Sequence, residues 1–400
     1  MTRDQIRQDI LDIKGNCILA ELPTSVGKSR VALDFMNEKQ IKGDILIVIP
    51  RLILIDNWKK EFVKWGYEPF LKQVTFTTYV SLPKHVENKF DLVIFDECHH
   101  LSDRAIEAAE SLISDYYILL SATVNRTLKK KIKMLFPNIE CYKISMREAI
   151  EESILPDPKV YLIPLELNKK DRTETLIINS KAKTNAGETT FASRFAARKD
   201  KNRKYTIRCT QEEYHQDLSA MVDFYKRQYF HTNNQIIYFR WQQKARERLV
   251  WLSGLKDNVV LKVLEKLADK RTLTFCNGIE QTEKLGEYCI NSKNADSEKY
   301  LEKFNNKEIN HITACNMLNE GCNLVECQVG IFVSINSSDI MVRQKNGRIL
   351  RHSEPIIIII YYKNTREEEL VKEMMQNYNQ ELITVINNFK EFVDDKENNF

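Results

Sequence analysis

The stretch from Asp91 to His100, DLVIFDECHH, limits the fold more than any other part of this chain. Four consecutive apolar residues, Leu92 to Phe95, lie between acids and read as a short strand buried on both faces, as in a parallel sheet covered by helices. Such a strand ends at Asp96. That places Asp96 and Glu97 at the carboxyl edge of the sheet, where open α/β folds hold their ligands. An Asp-Glu pair by itself is more often an ordinary surface loop, so its meaning depends on what accompanies it.

Residues 16 to 30 read NCILAELPTSVGKSR: an apolar strand, a loop through Thr24, Ser25, Val26 and Gly27, then Lys28 and Ser29 opening a stretch of helical spacing. This is a phosphate loop in outline. Gly27 lets the backbone approach an anion, the helix amino end offers unpaired amides, Lys28 reaches the outer phosphates, and the Ser29 hydroxyl can ligate Mg2+ together with Asp96. A lone Gly-Lys-Ser is weak, but a strand before it, a helix after it and a strand ending in Asp-Glu about seventy residues later make chance a poor explanation. Together they predict nucleotide hydrolysis.

A chain of 400 residues is too long for one ordinary core, and 43% hydrophobic with 29% charged residues is an ordinary globular balance. The longest apolar run, Ile356 to Tyr362, is strand-length, so no membrane segment is expected, and the polar amino terminus carries no secretory signal. Nine cysteines without a Cys-x-x-Cys spacing fit reduced thiols, hence a cytoplasmic chain. Cys98, His99 and His100 follow a buried strand too directly to suit a zinc site.

Alternating strands and helices, including DILIVIP, VTFTTY, the Asp91 strand and YYILL, predict a first parallel sheet. On the helix between the first two, Trp58, Phe62 and Trp65 share a face and read as core. Pro156 and Pro158 mark a boundary. Strand patterns return from Arg271, with RTLTFC, HITAC, VGIFVS and IIIIIYY as strands and QTEKLGEYCI as a helix, and predict a second parallel sheet. The expected organisation is residues 1–152, a linker at 153–168, a second domain at 169–375 carrying a basic insertion at about 181–210, and a helix with an acidic tail at 376–400. Between Lys181 and Arg208 nine basic residues face two acids, a larger excess than the +4 of the whole chain. Arg194, Arg198, Lys199, Lys201, Arg203 and Lys204, interleaved with Phe191, Phe195 and Tyr205, read as an arm gripping nucleic acid without sequence preference.

Residues 344 to 351 read QKNGRILR. With GKS, DECH, SAT at 121 to 123 and QxxGRxxR in this order, residues 1 to 375 resemble the superfamily 2 helicases of the DExH type, more narrowly the compact phage and bacterial UvsW-, RecG- or Rad25-like groups. The resemblance implies two RecA-like domains of the P-loop NTPase kind and an ATP- and Mg2+-dependent hydrolase moving on nucleic acid, DNA rather than RNA, as a monomer. It assigns Asp96 to the metal, Glu97 to the attacking water, Gln344, Arg348 and Arg351 to the γ-phosphate, and Ser121 and Thr123 to coupling. Pro50, Arg51, Thr78, Glu320 and Gly321 would track the nucleic-acid backbone. Ser25 and Val26 stand where that family has a glycine and a small residue. The competing readings are an RNA-dependent helicase and a nucleotide-gated clamp, and intact Lys28, Glu97 and Arg348 argue against the clamp.

Overall fold

Short apolar runs flanked by loops become the strands of two separate parallel sheets in the computed structural model, which describes residues 1–179, 204–315, 324–335, 349, 351–376 and 378–394. The first sheet contains β1 (Cys17–Glu21), β2 (Ile45–Ile49), β3 (Val74–Thr78), β4 (Lys89–Asp96), β5 (Ile113–Ser121) and β6 (Glu140–Lys143), in the order β3-β2-β4-β5-β1-β6. Every pairing in it is parallel, so all six carboxyl ends lie along one edge. β2 is buried throughout and β4 from Leu92 to Phe95, because helices cover both faces.

The second sheet is built from β7 (Lys159–Leu165), β10 (Thr272–Phe275), β11 (Cys289–Ile290), β12 (His311–Ala314), β13 (Val329–Phe332), β14 (Ile356–Tyr362) and β15 (Ile383–Val385). Its order is β11-β12-β10-β13-β14-β7-β15, again all parallel. Between β7 and β10 lie a two-stranded antiparallel ribbon, β8 (Glu174–Asn179) with β9 (Lys204–Cys209), and two long helices, Gln211–Thr232 and Gln235–Gly254. The fold is therefore α/β with two parallel sheets, as the motif order implies.

Four expectations need correction. Residues 159–165, placed in a linker by their neighbouring prolines, form β7 of the second sheet. Pro164 is tolerated there because odd-numbered positions of β7 face β14, as Leu165 does in accepting from Lys363, and its own nitrogen faces the β15 side. β15 pairs only with Val160 to Leu162, so the missing N–H costs no ladder bond. The stretch from 376, expected to be a helix and tail, first supplies the edge strand β15, and its helix comes only afterwards at Phe389–Asp394.

The run QTEKLGEYCI is not one helix. The helix Ile279–Leu285 stops at Gly286, where a Cβ would stand 2.8 Å from Thr313 Cγ2, and Cys289–Ile290 turns into an edge strand. Finally, Trp65 is not core. It caps the helix Leu54–Lys64, is 37% exposed, and carries Arg30 and Lys64 over its ring at 4.2 and 4.7 Å, whereas Trp58 and Phe62 are buried as expected.

Candidate nucleotide-hydrolysis site

The carboxyl edge of the first sheet gathers the motifs, because parallel strands deliver their following loops to the same side. The loop after β1 reaches Ser25 and Gly27 with left-handed backbones, φ 74° and 112°, and Gly27 caps the helix Lys28–Glu38. The loop after β4 begins with Glu97, also left-handed at φ 51°. That twist turns the Glu97 carboxylate toward the phosphate loop, and Lys28 Nζ lies 2.9 Å from Glu97 Oε1. The Lys28 ammonium is buried and, apart from this ion pair, has no hydrogen-bond acceptor among the described residues. A buried ammonium with unspent donors, a hydroxyl in the first helical turn at Ser29 and a carboxylate at Asp96 form a donor set that fits phosphates and Mg2+.

Asp96 is held from two sides. Trp58 Nε1–H donates to its Oδ2 at 2.9 Å, and the Tyr79 hydroxyl donates to its backbone oxygen at 2.7 Å. Burial and the neighbouring Glu97 charge push the Asp96 carboxyl above the usual range. Burial acts the same way on Glu97, but Lys28 and then His99 outweigh it and keep Glu97 low, hence ionised. An ionised Glu97 can accept a proton from water. A desolvated Asp96 gains most from a cation.

His99 ties this loop to the one after β5. The Ser121 hydroxyl, fully buried, donates to Thr123 O at 2.9 Å, so toward His99 Nδ1, 3.0 Å away, it acts as acceptor. The proton therefore sits on His99 Nδ1, which also lies 3.4 Å from Glu97 Oε2. Ser121, Thr123 and Glu97 are thus linked through one imidazole. Sequence reasoning quoted His99 but gave it no role, and read Trp58 only as core. Nothing in residue spacing shows that an indole N–H reaches a carboxylate 38 positions away.

Arg351, expected to act from the second domain, does reach the first: its Nε donates to Ser25 Oγ at 3.0 Å. Pro50 with Arg51 follows β2, and Thr78 ends β3, so this group occupies the flank of the same edge away from the phosphate loop. Leu52, Ile53 and Val80 are exposed beside them, a feature the sequence reading did not pick out. Gln344, Arg348, Glu320, Gly321, Arg194, Arg198, Lys199, Lys201 and Arg203 lie outside the described residues, and Lys204 opens β9.

Comparison with known proteins agrees with this geometry. Residues 5–126 match the family described as type III restriction enzyme, res subunit, and residues 255–353 match the helicase conserved C-terminal domain. The DNA 3'-5' translocase XPB2 of Sulfurisphaera tokodaii is 25% identical over 388 residues, covering 87% of this chain and 78% of that protein. Human DNA repair and recombination protein RAD54B is 31% identical over 147 residues, 29% of this chain but 16% of RAD54B. Among solved structures, the Pyrococcus furiosus Hef helicase domain superposes with a TM-score of 0.51 at 13% identity, covering 94% of this chain and 97% of that one. S. cerevisiae Dbp5 bound to RNA and ADP BeF3 gives 0.59 at 10% identity, covering 98% and 91%. With both helicase family models matched in order, and the two parallel sheets that carry them, the chain belongs to the ATP-hydrolysing superfamily 2 helicases.

Proposed function

We propose that the chain is an ATP-driven DNA translocase or helicase of the UvsW-, RecG- or Rad25-like kind, acting as a monomer in a reducing cytoplasm. The observation that carries this reading is the span of Arg351 to Ser25, which makes one site from residues 326 positions apart. Lys28 binds phosphate oxygens, Ser29 and Asp96 hold the metal, and Trp58 and Tyr79 fix Asp96. Mg2+, when bound, supplies charge neutralisation at the phosphates. Glu97, ionised beside Lys28, orients the water and takes its proton. Arg351, with Arg348 and Gln344, meets charge that develops on the transferred phosphoryl group, so hydrolysis requires the two sheets to close on each other. His99 carries the state of Glu97 to Ser121 and Thr123, and Pro50, Arg51 and Thr78, together with Glu320 and Gly321, hold the strand.

The DNA preference is supported by the DNA 3'-5' translocase that matches most of the chain. ATPase measurements over equal-length single-stranded, duplex and forked DNA, and the matching RNAs, test it; greater stimulation by RNA would overturn the DNA assignment. In the same assay Glu97→Gln is expected to lower turnover by about 10² to 10⁴ while nucleotide affinity is kept. Turnover at the unmodified rate would remove Glu97 from the mechanism.

A further inference from the structure

The helices Gln211–Thr232 and Gln235–Gly254 form a hairpin whose charge is divided along its length. Residues 211 to 223 contain four carboxylates and no Lys or Arg. Residues 224 to 250 contain six Lys or Arg against the single acid Glu247, together with seven aromatic residues. Lys226, Arg227, Arg240 and Arg246 make no ion pair among the described residues.

Apart from Tyr225, these aromatic residues are not core. Beyond Tyr225 the first helix buries nothing, and the second buries only Leu252 and Ser253 near its far end. At the tip, Tyr229, Tyr238 and Trp241 pack on each other with ring centroids 5.2 to 6.0 Å apart, while Phe230, Phe239 and Ile236 stay 71%, 64% and 64% exposed. The packed rings therefore act as a stiff support that holds two phenyl faces out in solvent.

The other end of the hairpin is rigidly rooted. Lys256, fully buried, donates to Val333 O, Ile360 O and both Glu367 oxygens at 2.7 to 2.9 Å. Gln281 joins Ser253 to Asp257 beside it. The base of the hairpin is thereby fixed to the second sheet.

We propose that this tip is a second nucleic-acid site, at which Phe230 and Phe239 stack on unpaired bases at a strand junction while Lys226, Arg227 and Arg240 hold the adjoining phosphates. The proposal rests on the DNA reading above. Unpaired cations of one sign repel each other in the free protein and are relieved by phosphates. Exposed phenyl faces add affinity only where base faces are uncovered, which a closed duplex does not offer within its length. A protein partner would find the aromatics equally useful but would leave the surplus cations uncompensated unless it were acidic.

The test uses the full chain on a forked DNA carrying 5-iodouracil at one unpaired or one paired position. Photocrosslinking is expected in the peptide containing residues 228–246 from the unpaired position only. Phe230→Ser with Phe239→Ser is expected to weaken fork binding by about tenfold or more, with blunt-duplex binding changed less than twofold and the thermal midpoint unchanged. Arg227→Gln with Arg240→Gln is expected to flatten the salt dependence for the single strand by about 0.7 per lost contact. Fork affinity within twofold of the unmodified chain, with DNA-stimulated ATPase intact, would overturn this site and leave the DNA reading standing. So would a dimer in sedimentation that the two Ser substitutions dissociate, since the tip would then be a self-association surface. An unmodified chain whose ATPase no nucleic acid stimulates would overturn the DNA reading and this site with it.

Discussion

Two residues set the geometry of side chains that the proposed mechanism uses: Trp58 holds Asp96, and Ser25 receives Arg351. Trp58 donates to Asp96 Oδ2, a bond that orients a carboxylate made basic by burial. Trp58→Phe keeps the ring in the core and deletes the donor, so the Mg2+ concentration for half-maximal ATPase is expected to rise about tenfold, with folding retained. An unchanged Mg2+ requirement would show that Asp96 needs no such support. Ser25 is the second case. Its φ of 74° is a left-handed backbone that costs a residue with a Cβ about 1 kcal/mol or more, yet its hydroxyl is the acceptor for Arg351. Ser25→Gly is expected to stabilise the first sheet's domain by about 1 kcal/mol in denaturant unfolding and to slow hydrolysis, two effects of opposite sign from one substitution. If both activity and stability rose, the Arg351 contact would be incidental.

At the scale of elements, what was legible in the sequence follows from periodicity and spacing. The buried β4 and β14 show as uninterrupted apolar runs, and the helix Asp103–Glu110 shows as a Ser102 cap followed by Ala105 and Ala109 turned inward, as found. β7 was lost because Pro156 and Pro158 just before it argue for a linker, and only the register with β15 shows that Pro164 within it faces no ladder partner. β11 was lost because two residues are too few for any period, and its existence depends on the close approach at Gly286. The Lys256–Glu367 pair could not be read at all, since 111 positions separate residues of types normally found in solvent. Burial makes this pair strongly asymmetric in its mutational response. Lys256→Ala should cost about 3–5 kcal/mol by leaving Glu367 charged and without its counter-ion, whereas Lys256→Met combined with Glu367→Gln should cost much less. Equal losses in the single and double variants, by chemical unfolding, would contradict this.

Across the whole molecule, the site was legible as a list of motifs but not as a place. That the motifs lie on one edge comes from the all-parallel strand order, and that Arg351 arrives at Ser25 comes from how the two halves meet. The connection between the halves has its own consequence. Ile154 and Leu155 are buried in an apolar cluster that runs on through the helix Met146–Glu151 to Val160 and Leu162 of β7. Only Pro156, Asp157 and Pro158 lie between these anchors and β7, a span of at most about 14 Å even when fully extended. Arg351 is therefore tethered, kept by a short stiff leash at a local concentration near Ser25 that no free fragment could match. Inserting ten Gly and Ser residues after Pro156 is expected to lower the maximal ATPase rate severalfold, as local concentration falls with roughly the −3/2 power of tether length, while nucleotide binding to the first domain is preserved. A rate indifferent to the insertion would mean that Arg351 is held in place by the surfaces that meet, and that the leash merely joins them.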